Sequence, residues 1–259
     1  RRVLFRSSGM RWQNECKKTV ITAALILTLI PIQHVKALSS EKHGYGQGTA
    51  TDSQNCPVGA ADFNSQYNQY DAYALTNDKK RIILTFDQGY ENGYTAPILD
   101  VLKEKNVKAI FFLTGDYAKK EETLVKRMID EGHVLGNHGM THASMPELNA
   151  GELKEEVMSL HEFVADKYGY EMQYLRPPCG EFSEESLSVC SEMGYKTLMW
   201  SFAYVDWKTD DQPDPGQALE RIVSSAHGGG IYLLHSVSST NAAVLGDVID
   251  RLRAEGFIL

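Results

Sequence analysis

The chain has 259 residues, of which 42% are hydrophobic and 23% are charged, and its formal net charge at pH 7 is -8. This length and composition predict one large α/β domain with an additional segment, and the chain is long enough to bury a sizeable core. The negative charge argues against nucleic acid or an anionic membrane surface as the main partner, whereas neutral and cationic substrates fit it equally well.

The N-terminal part of the chain has the features of an export signal. Residues 1–9 precede the first methionine and are predicted to be a non-native leader. Residues 10–37 have the order of a secretory signal peptide, with a basic stretch ending at Lys18, an apolar run over 19–32 and the small residue Ala37 at the end. The apolar run is shorter than the roughly 20 residues that span a membrane. We therefore predict a secreted or cell-envelope protein, with an uncleaved membrane anchor at this segment as the alternative.

Residues 38–80 are rich in Gly, Ser, Thr, Asn, Gln and Tyr and show weak periodicity. This composition predicts an N-terminal arm or linker, within which residues 60–73 could form a short helix. Its tyrosines are expected to pack against the main domain, with contact to a sugar as the alternative.

Residues 81–259 alternate between apolar, strand-like runs and helical patterns. The predicted strands are 81–87, 108–115, 133–138, 174–177, 196–202, 231–235 and 257–259. The predicted helices are 95–105, 121–131, 150–168, 183–193, 217–227 and 242–255, the third of which begins with a capping box at Asn149 and Glu152. Near-continuous apolar strands indicate a parallel sheet with helices outside it, and about seven βα units favour a barrel over an open sheet. The last strand is cut off by the chain end, so the C-terminal end of the domain is expected to be truncated.

Five polar residues stand at or just past the carboxyl ends of predicted strands, namely Asp87, His138, Arg176, Asp206 and His235. In barrel enzymes these ends share the face on which active sites are assembled from separate loops. Asp87 ends an apolar strand, where the cost of its desolvation must be offset by a partner or by function, so it is a candidate base. Arg176, in a loop stiffened by two prolines, is its predicted partner. A turn-forming acid and a surface ion pair are the alternative interpretations.

His138 and His142 are four residues apart, a spacing at which one helical turn could direct two imidazoles to a single metal. The spacing alone is weak evidence, and a pair of partly exposed loop histidines is the alternative. The absence of Glu at position 139 excludes the zincin signature. Gln88 stands where a third metal ligand would be expected.

His235 ends the strand predicted over 231–235, where a satisfied core histidine is the default interpretation. Asp206 could accept a hydrogen bond from one ring nitrogen and raise the pKa of the imidazole, which would make His235 a general acid near neutral pH. Trp207 would either line a sugar or acetyl pocket or simply pack.

Five ordered segments of the chain resemble the motifs of the polysaccharide deacetylase family, also called the NodB-homology family or carbohydrate esterase family 4. They are TFDQG at 85–89, HGMTH at 138–142, RPPCG at 176–180, AYVDW at 203–207 and LLH at 233–235. The resemblance covers roughly residues 81–259. Residues 89–94 and 200–204 further resemble the δ-lactam-biosynthetic peptidoglycan de-N-acetylases, which act on muramic acid residues of the spore cortex.

The resemblance implies a distorted (β/α)7 barrel that hydrolytically removes N-acetyl groups from a glycan. It implies that Asp87 is the catalytic base, oriented by Arg176, and that His235, tuned by Asp206, protonates the leaving amine. The backbone N–H of Cys179 would bind the developing oxyanion.

The resemblance also implies a divalent metal, zinc or similar, held by His138 and His142, and contacts of Tyr90 and Trp207 with the substrate. Gln88 departs from the broad family pattern, which has aspartate there, and its neutral carbonyl oxygen binds a divalent cation more weakly. The δ-lactam branch departs at this position too. A second departure is Ala203, which replaces the first acid of the fourth motif.

These features predict a secreted, monomeric, metal-assisted peptidoglycan deacetylase that acts on N-acetylmuramic acid in δ-lactam formation of the spore cortex. One alternative is a deacetylase of N-acetylglucosamine polymers such as peptidoglycan or chitin. Another is a catalytically weak glycan-binding wall protein that lost its metal site through Gln88. Asp87, Arg176 and His235 argue against the latter, because binding alone requires neither an acid nor a base.

Overall fold

Seven strands of the chain form one sheet in which every neighbouring pair is parallel. The structure is a computed structural model that describes residues 37–259, so the leader and nearly all of the signal peptide predicted from the sequence lie outside the described residues. None of the helices in this described part is long and apolar enough to cross a membrane.

The strands and helices alternate along most of the described chain. The strands are β1 (His43–Gly44), β2 (Ala72–Tyr73), β3 (Ile82–Gln88), β4 (Ile110–Leu113), β5 (Val134–Asn137), β6 (Tyr174–Leu175), β7 (Glu181–Phe182), β8 (Lys196–Leu198) and β9 (Gly230–His235). The α-helices are α1 (Val58–Tyr67), α2 (Thr95–Glu104), α3 (Gly115–Lys120), α4 (Glu122–Asp130), α5 (Ala150–Tyr168), α6 (Glu184–Glu192), α7 (Pro215–Ser224) and α8 (Ser239–Ala254). Short 3-10 turns lie at Asn68–Tyr70, Met145–Glu147 and Pro178–Gly180.

The parallel sheet is curled into a distorted barrel. Its strand order is β2-β8-β6-β5-β4-β3-β9, and β1 pairs only with β7 in a separate two-stranded sheet. Past the end of β8, Phe202 forms a parallel bridge with Tyr232 in β9, and Leu233 N–H donates to the Phe202 carbonyl at 2.9 Å. This contact joins the segment after β8 to the edge strand β9, so the sheet curls round on itself as the (β/α)7 prediction requires.

The two faces of β3 show how the strand positions the chemistry. Side chains alternate across a strand, and Ile82, Leu84 and Phe86 pack into the main core among the helices. The intervening positions, including Thr85 and Asp87, face the interior of the barrel. The predicted helix over 150–168 is confirmed as α5, together with its capping box.

The segment 38–80, predicted as an arm or linker, instead belongs to the same compact unit as the rest of residues 38–259. It contributes β2 as the edge strand of the main sheet, beside β8. Phe63 in α1 packs between Tyr45 and Phe182, at ring-centroid distances of 4.9 and 5.4 Å. A two-residue strand and a helix that buries only Ala60 and Phe63 leave no periodic pattern to recognise.

At the C-terminal end, the predicted strand over 257–259 appears as a single parallel bridge between Arg81 and Ile258. Ile258 N–H donates to the carbonyl of Lys80 at 2.8 Å, and Ile82 N–H donates to the carbonyl of Ile258 at 2.9 Å. The last residues therefore continue the ladder along the start of β3.

Candidate active site

Strand register brings Asp87 and His235 side by side. The two residues are paired positions on the neighbouring parallel strands β3 and β9, and each strand ends at or one residue after this pair. His138 follows the last residue of β5, and Arg176 follows the last residue of β6. Because these strands are parallel, their carboxyl ends lie together at one end of the barrel, as the sequence predicts.

Asp87 is held by a buried arginine. Arg176 is completely buried, and its Nη1 lies 2.7 Å from Asp87 Oδ1. The same guanidinium donates to Thr85 Oγ1 and to the carbonyl oxygens of Leu198 and Met199, at 2.9 to 3.0 Å. These bonds fix the orientation of the guanidinium group, and the guanidinium in turn fixes the Asp87 carboxylate that it binds.

The surroundings of Asp87 favour its ionised form. Burial by itself raises the pKa of this carboxyl, but Arg176 and two nearby histidines lower it more, so the pKa lies below its ordinary value. Asp87 Oδ2 remains outside the Arg176 contact and lies 3.6 Å from His138 Nε2. A buried carboxylate that is ionised at neutral pH can accept a proton from water.

His138 and His142 lie together in the loop after β5, with ring centroids 4.8 Å apart. They are not on a helical turn, which corrects the geometry expected from their spacing. The loop has positive φ at Gly139 (84°) and at His142 (62°), a conformation that turns the second imidazole back toward the first. Glycine is favoured at position 139 because L side chains rarely adopt a φ of 84°, and a Cβ there would also lie 2.7 Å from Glu156 Oε1.

The carboxylate of Glu156, on α5, holds this histidine loop in place. Its Oε1 accepts from Thr141 N–H at 2.7 Å, and its Oε2 accepts from the Thr141 hydroxyl at 2.9 Å. Its backbone carbonyl accepts from Met140 N–H at 3.1 Å. Sequence reasoning missed Glu156; the only available signal was an acidic residue on the buried stripe of a helix.

The tautomer of His138 leaves one ring nitrogen free for a metal. Nδ1 lies 2.8 Å from the carbonyl oxygen of Arg176, which can only accept, so Nδ1 carries the proton and Nε2 has the lone pair. Burial is the main cause that lowers the pKa of His138 to about 4. The imidazole is therefore neutral at pH 7, as a metal ligand must be.

The loop after β5 offers a divalent cation two ligands, the imidazoles of His138 and His142. Within residues 37–259, no group of three or more His, Cys, Asp or Glu side chains is arranged to hold a metal. Two imidazoles suit zinc and related metals, but structural zinc sites have four protein ligands and catalytic sites usually three. A cation held by His138 and His142 would thus depend on water or substrate for its remaining ligands.

Gln88 lies away from the two histidines. It follows Asp87 on β3, so alternation turns its side chain toward the opposite face. It is completely buried, does not line the cavity of the site, and its amide hydrogen-bonds to the hydroxyl of Ser236. The third metal ligand suggested for Gln88 is therefore not observed.

His235 forms the second half of the site with Asp206. His235 Nδ1 donates to Asp206 Oδ1 at 2.7 Å, and its backbone N–H donates to Oδ2 at 2.9 Å. Burial lowers the pKa of His235, but the fully buried Asp206 carboxylate outweighs this, so the pKa lies above its ordinary value. The free Nε2 of a protonated His235 can donate a proton to a leaving group.

Asn241, at the start of α8, supports this pair and was also missed from the sequence. Its Nδ2 donates to Asp206 Oδ2 at 2.6 Å and to the His235 carbonyl at 3.1 Å, while its Oδ1 accepts from the hydroxyl of Tyr204. Asn241 is separated from Asp206 by 35 residues, so no local motif links them.

Two adjoining cavities, of about 670 and 240 Å³, contain the remaining candidates. Both are lined by Asp87, His138, His142, Trp207 and His235. Trp207 and Tyr90 are 47% and 52% exposed at the rim, where an aromatic face is available to a sugar.

Cys179 also lines the larger cavity, and its backbone is strained, with φ of 56°. None of the described residues accepts a hydrogen bond from its backbone N–H. Gly180 next to it has φ of 66°, and a Cβ there would lie 2.7 Å from Trp200 Cη2. Cys179 thus lines the cavity and has a backbone N–H without an acceptor among the described residues.

A base, an acid and a pair of imidazoles on the carboxyl edge of a curled parallel sheet define a hydrolase that uses acid–base chemistry. The family model described as polysaccharide deacetylase matches residues 74–198. The chain is 41% identical, over 239 residues covering 92% of it and 90% of its relative, to the peptidoglycan-N-acetylmuramic acid deacetylase PdaA of Bacillus subtilis. It is 34% identical, over 70% of its length and 66% of the relative's, to a peptidoglycan-N-acetylglucosamine deacetylase of Bacillus cereus.

Solved structures agree with this match. The structure of Bacillus subtilis PdaA, a family 4 carbohydrate esterase, has a TM-score of 0.80 and covers 85% of this chain and 95% of its own. A family 4 carbohydrate esterase from Bacillus anthracis, 39% identical, has a TM-score of 0.71 with 86% and 95% covered. The chain belongs to the polysaccharide deacetylase family, carbohydrate esterase family 4. It is a hydrolase that acts on carbon–nitrogen bonds other than peptide bonds.

Proposed function

We propose that this deacetylase removes the acetyl group from N-acetylmuramic acid residues of peptidoglycan, with a divalent cation at His138 and His142, and that it serves δ-lactam formation in the spore cortex. The observation that carries the proposal is the pairing of Asp87 with His235 in a chain 41% identical to a muramic acid deacetylase over nearly its full length. The arrangement supplies a base and an acid that line the same cavity.

Asp87 would begin the reaction by accepting a proton from a water molecule. The water oxygen attacks the carbonyl carbon of the acetamide, and Arg176 keeps the carboxylate ionised and aimed during the transfer. The Asp206 carboxylate raises the pKa of His235 and so favours the imidazolium, in which Nδ1 donates to Asp206 and Nε2 carries the second proton. His235 then gives this Nε2 proton to the amide nitrogen as the carbon–nitrogen bond breaks. The products are acetate and the free amino sugar.

Negative charge develops on the carbonyl oxygen before the bond breaks. Cys179 lines the cavity, and its backbone N–H, which has no acceptor among the described residues, would donate to that oxygen. A divalent cation bound by His138 and His142 would supply Lewis-acid stabilisation to the same charge. Two features favour binding of the cation: the neutral tautomer of His138 leaves a lone pair on Nε2, and Glu156 fixes the loop that contains both histidines.

Acetate release from purified peptidoglycan, with and without chelator, tests the activity. Mass spectrometry of the digested glycan then shows which sugar has lost its acetyl group. Loss from glucosamine residues alone would favour the alternative of an N-acetylglucosamine deacetylase. No release with any metal supplement would contradict an active enzyme, and release that resists chelation would contradict only the metal.

Asp87→Asn tests the base. We expect no measurable turnover with an unchanged fold, since an amide cannot take the proton. Asp130→Asn, an exposed carboxyl on α4, is the matched control and should retain full activity. Near-wild-type turnover by Asp87→Asn would show that another group is the base.

The proposed place of action is outside the cytoplasm, as a monomer, where peptidoglycan lies. The support is the signal peptide predicted from the sequence over residues 10–37. N-terminal sequencing of the protein recovered from culture medium should begin near residue 38, whereas recovery from membranes with the segment intact would favour the anchor. Gel filtration with light scattering tests the monomer.

A further inference from the structure

Arg221 is an arginine at the active-site cavity that has no partner among the described residues. It lies in the last turn of α7, is exposed, and lines the same cavity as Asp87 and His235. Residues 37–259 contain six arginines. Five of them donate from the guanidinium to a carboxylate or a carbonyl oxygen: Arg81, Arg127, Arg176, Arg251 and Arg253. Arg221 makes no such bond to any described residue.

The guanidinium of Arg221 is supported by an aromatic ring rather than by an acid. Its Cζ lies 5.7 Å from the centroid of Tyr204, a buried residue whose hydroxyl is held by Asn241. Contact with a ring orients a guanidinium while leaving its N–H groups free to donate. A cation in the last turn also stabilises the carboxyl end of a helix, but that effect does not require the side chain to reach a cavity.

The surroundings of Arg221 in the cavity provide no carboxylate for it. Ala203, Val205 and Leu233 line the same cavity and are apolar. The two carboxylates of the site are already bound, Asp87 by Arg176 and Asp206 by His235 and Asn241. An anion entering this cavity would therefore find an unpaired guanidinium next to apolar side chains.

We propose that Arg221 binds a carboxylate of the substrate glycan and thereby gives the site its preference for muramic acid over uncharged amino sugars. This inference rests on the proposed function. N-acetylmuramic acid differs from N-acetylglucosamine by a lactyl ether, which has one methyl and one carboxyl group. The fork of an arginine matches a carboxylate, and the apolar wall suits the methyl. In a chain with a net charge of -8, a local cation also offsets repulsion of an acidic polymer.

The carboxylate can come from two sources, either the lactyl group itself or a peptide attached to it. Three forms of one glycan separate them: strands with free lactyl carboxyls, strands that retain their peptides, and strands whose carboxyls have been converted to primary amides. The measured quantities are kcat and KM for acetate release, with wild type, Arg221→Gln and Arg221→Lys. Arg253→Gln, an exposed arginine of α8 outside the cavity, is the matched control.

For Arg221→Gln we expect kcat/KM to fall about tenfold or more on a carboxylate-bearing glycan, mainly through KM, as for a lost hydrogen bond to a charged group. Arg221→Lys should recover part of the loss because it retains the charge. On the amidated glycan, wild type and Arg221→Gln should be equal. Added salt should weaken the wild-type preference because the contact is exposed.

The outcomes distinguish this inference from the function on which it rests. A loss confined to the free-lactyl glycan identifies the lactyl carboxylate, and a loss confined to the peptide-bearing glycan identifies a peptide carboxylate. Equal kcat/KM for wild type and Arg221→Gln on both would overturn the role of Arg221 while leaving the deacetylase intact. If wild type deacetylates no muramic acid residue in any of the three glycans, the proposed substrate itself is wrong.

Discussion

Nδ1 of His138 lies 2.8 Å from the carbonyl oxygen of Arg176. The side chain of the same Arg176 binds Asp87 through Nη1, at 2.7 Å from Oδ1. Arg176, one residue after β6, thus sets the tautomer of the proposed metal-binding imidazole with its backbone carbonyl and the orientation of the proposed base with its side chain. A displacement of this residue would disturb both parts of the site together.

Arg176→Lys should therefore lower kcat by about a hundredfold, since misplacing a reacting group by about 1 Å has such an effect. It should also lower the free energy of unfolding by about 3 kcal/mol, because one ammonium cannot replace four guanidinium hydrogen bonds in a buried ion pair. Acetate release and urea unfolding measure the two effects. Arg251→Lys, at an exposed pair with Glu220, is the control. A wild-type kcat for Arg176→Lys would show that the guanidinium group is not needed to position Asp87.

Asp206→Asn should move the alkaline limb of the pH–kcat profile to lower pH by about one unit or more. His235 must be protonated to act, so activity falls as pH rises through its pKa. Burial lowers that pKa and Asp206 raises it above the ordinary value, so removing the carboxylate leaves burial unopposed. Asp211→Asn, an exposed residue of the same loop, should leave the profile unchanged. An unshifted alkaline limb in Asp206→Asn would mean that another group sets it.

Glu156→Ala should raise the concentration of divalent cation needed for half-maximal activity by about tenfold, in the range found for residues that support metal ligands. The reason is the loss of the carboxylate that holds Thr141 between the two histidines. The measurement is a metal titration of chelator-treated enzyme. Glu156→Gln, which retains an acceptor for Thr141 N–H, should lie between wild type and Glu156→Ala. Glu155→Ala, on the exposed face of α5, should match wild type, and an identical response of both alanine variants would contradict the role of Glu156.

Gly180→Ala and Gly194→Ala form a matched pair, because both glycines have positive φ, 66° and 87°. A Cβ at Gly194 meets nothing within 4 Å, whereas one at Gly180 meets Trp200 at 2.7 Å. Both variants should lose about 1 kcal/mol of unfolding free energy from backbone strain. Gly180→Ala alone should lose further unfolding free energy and also activity, since its Cβ would displace the turn that contains Cys179. Equal stability and activity of the two variants would show that the Trp200 side chain moves aside without cost.

The sequence predicted the parallel barrel because strands such as β3 and β9 are apolar runs, and because helices with a clear period alternate with the strands. Such patterns are local, and α5 was predicted with its observed bounds. The prediction that the domain begins at residue 81 was wrong because local patterns do not record distant pairing. β2 has only two residues and joins the sheet by pairing with β8, more than a hundred residues away. Short edge strands are specified by their neighbours rather than by their own residues.

By itself, the sequence determined which residues stand at the strand ends, because motif order and strand alternation are properties of consecutive positions. Asp87, His138, Arg176 and His235 were placed at the carboxyl ends of strands in this way, whereas Asp206 lies in the loop after β8, which ends at Leu198 rather than at the predicted residue 202. Only the tertiary structure decided what holds and surrounds them. The support from Glu156 and Asn241, the burial of Gln88 away from the imidazoles and the unpaired guanidinium of Arg221 all depend on contacts between distant segments. Hydrogen bonding and burial are set by the three-dimensional neighbours of a side chain, and no local pattern records them.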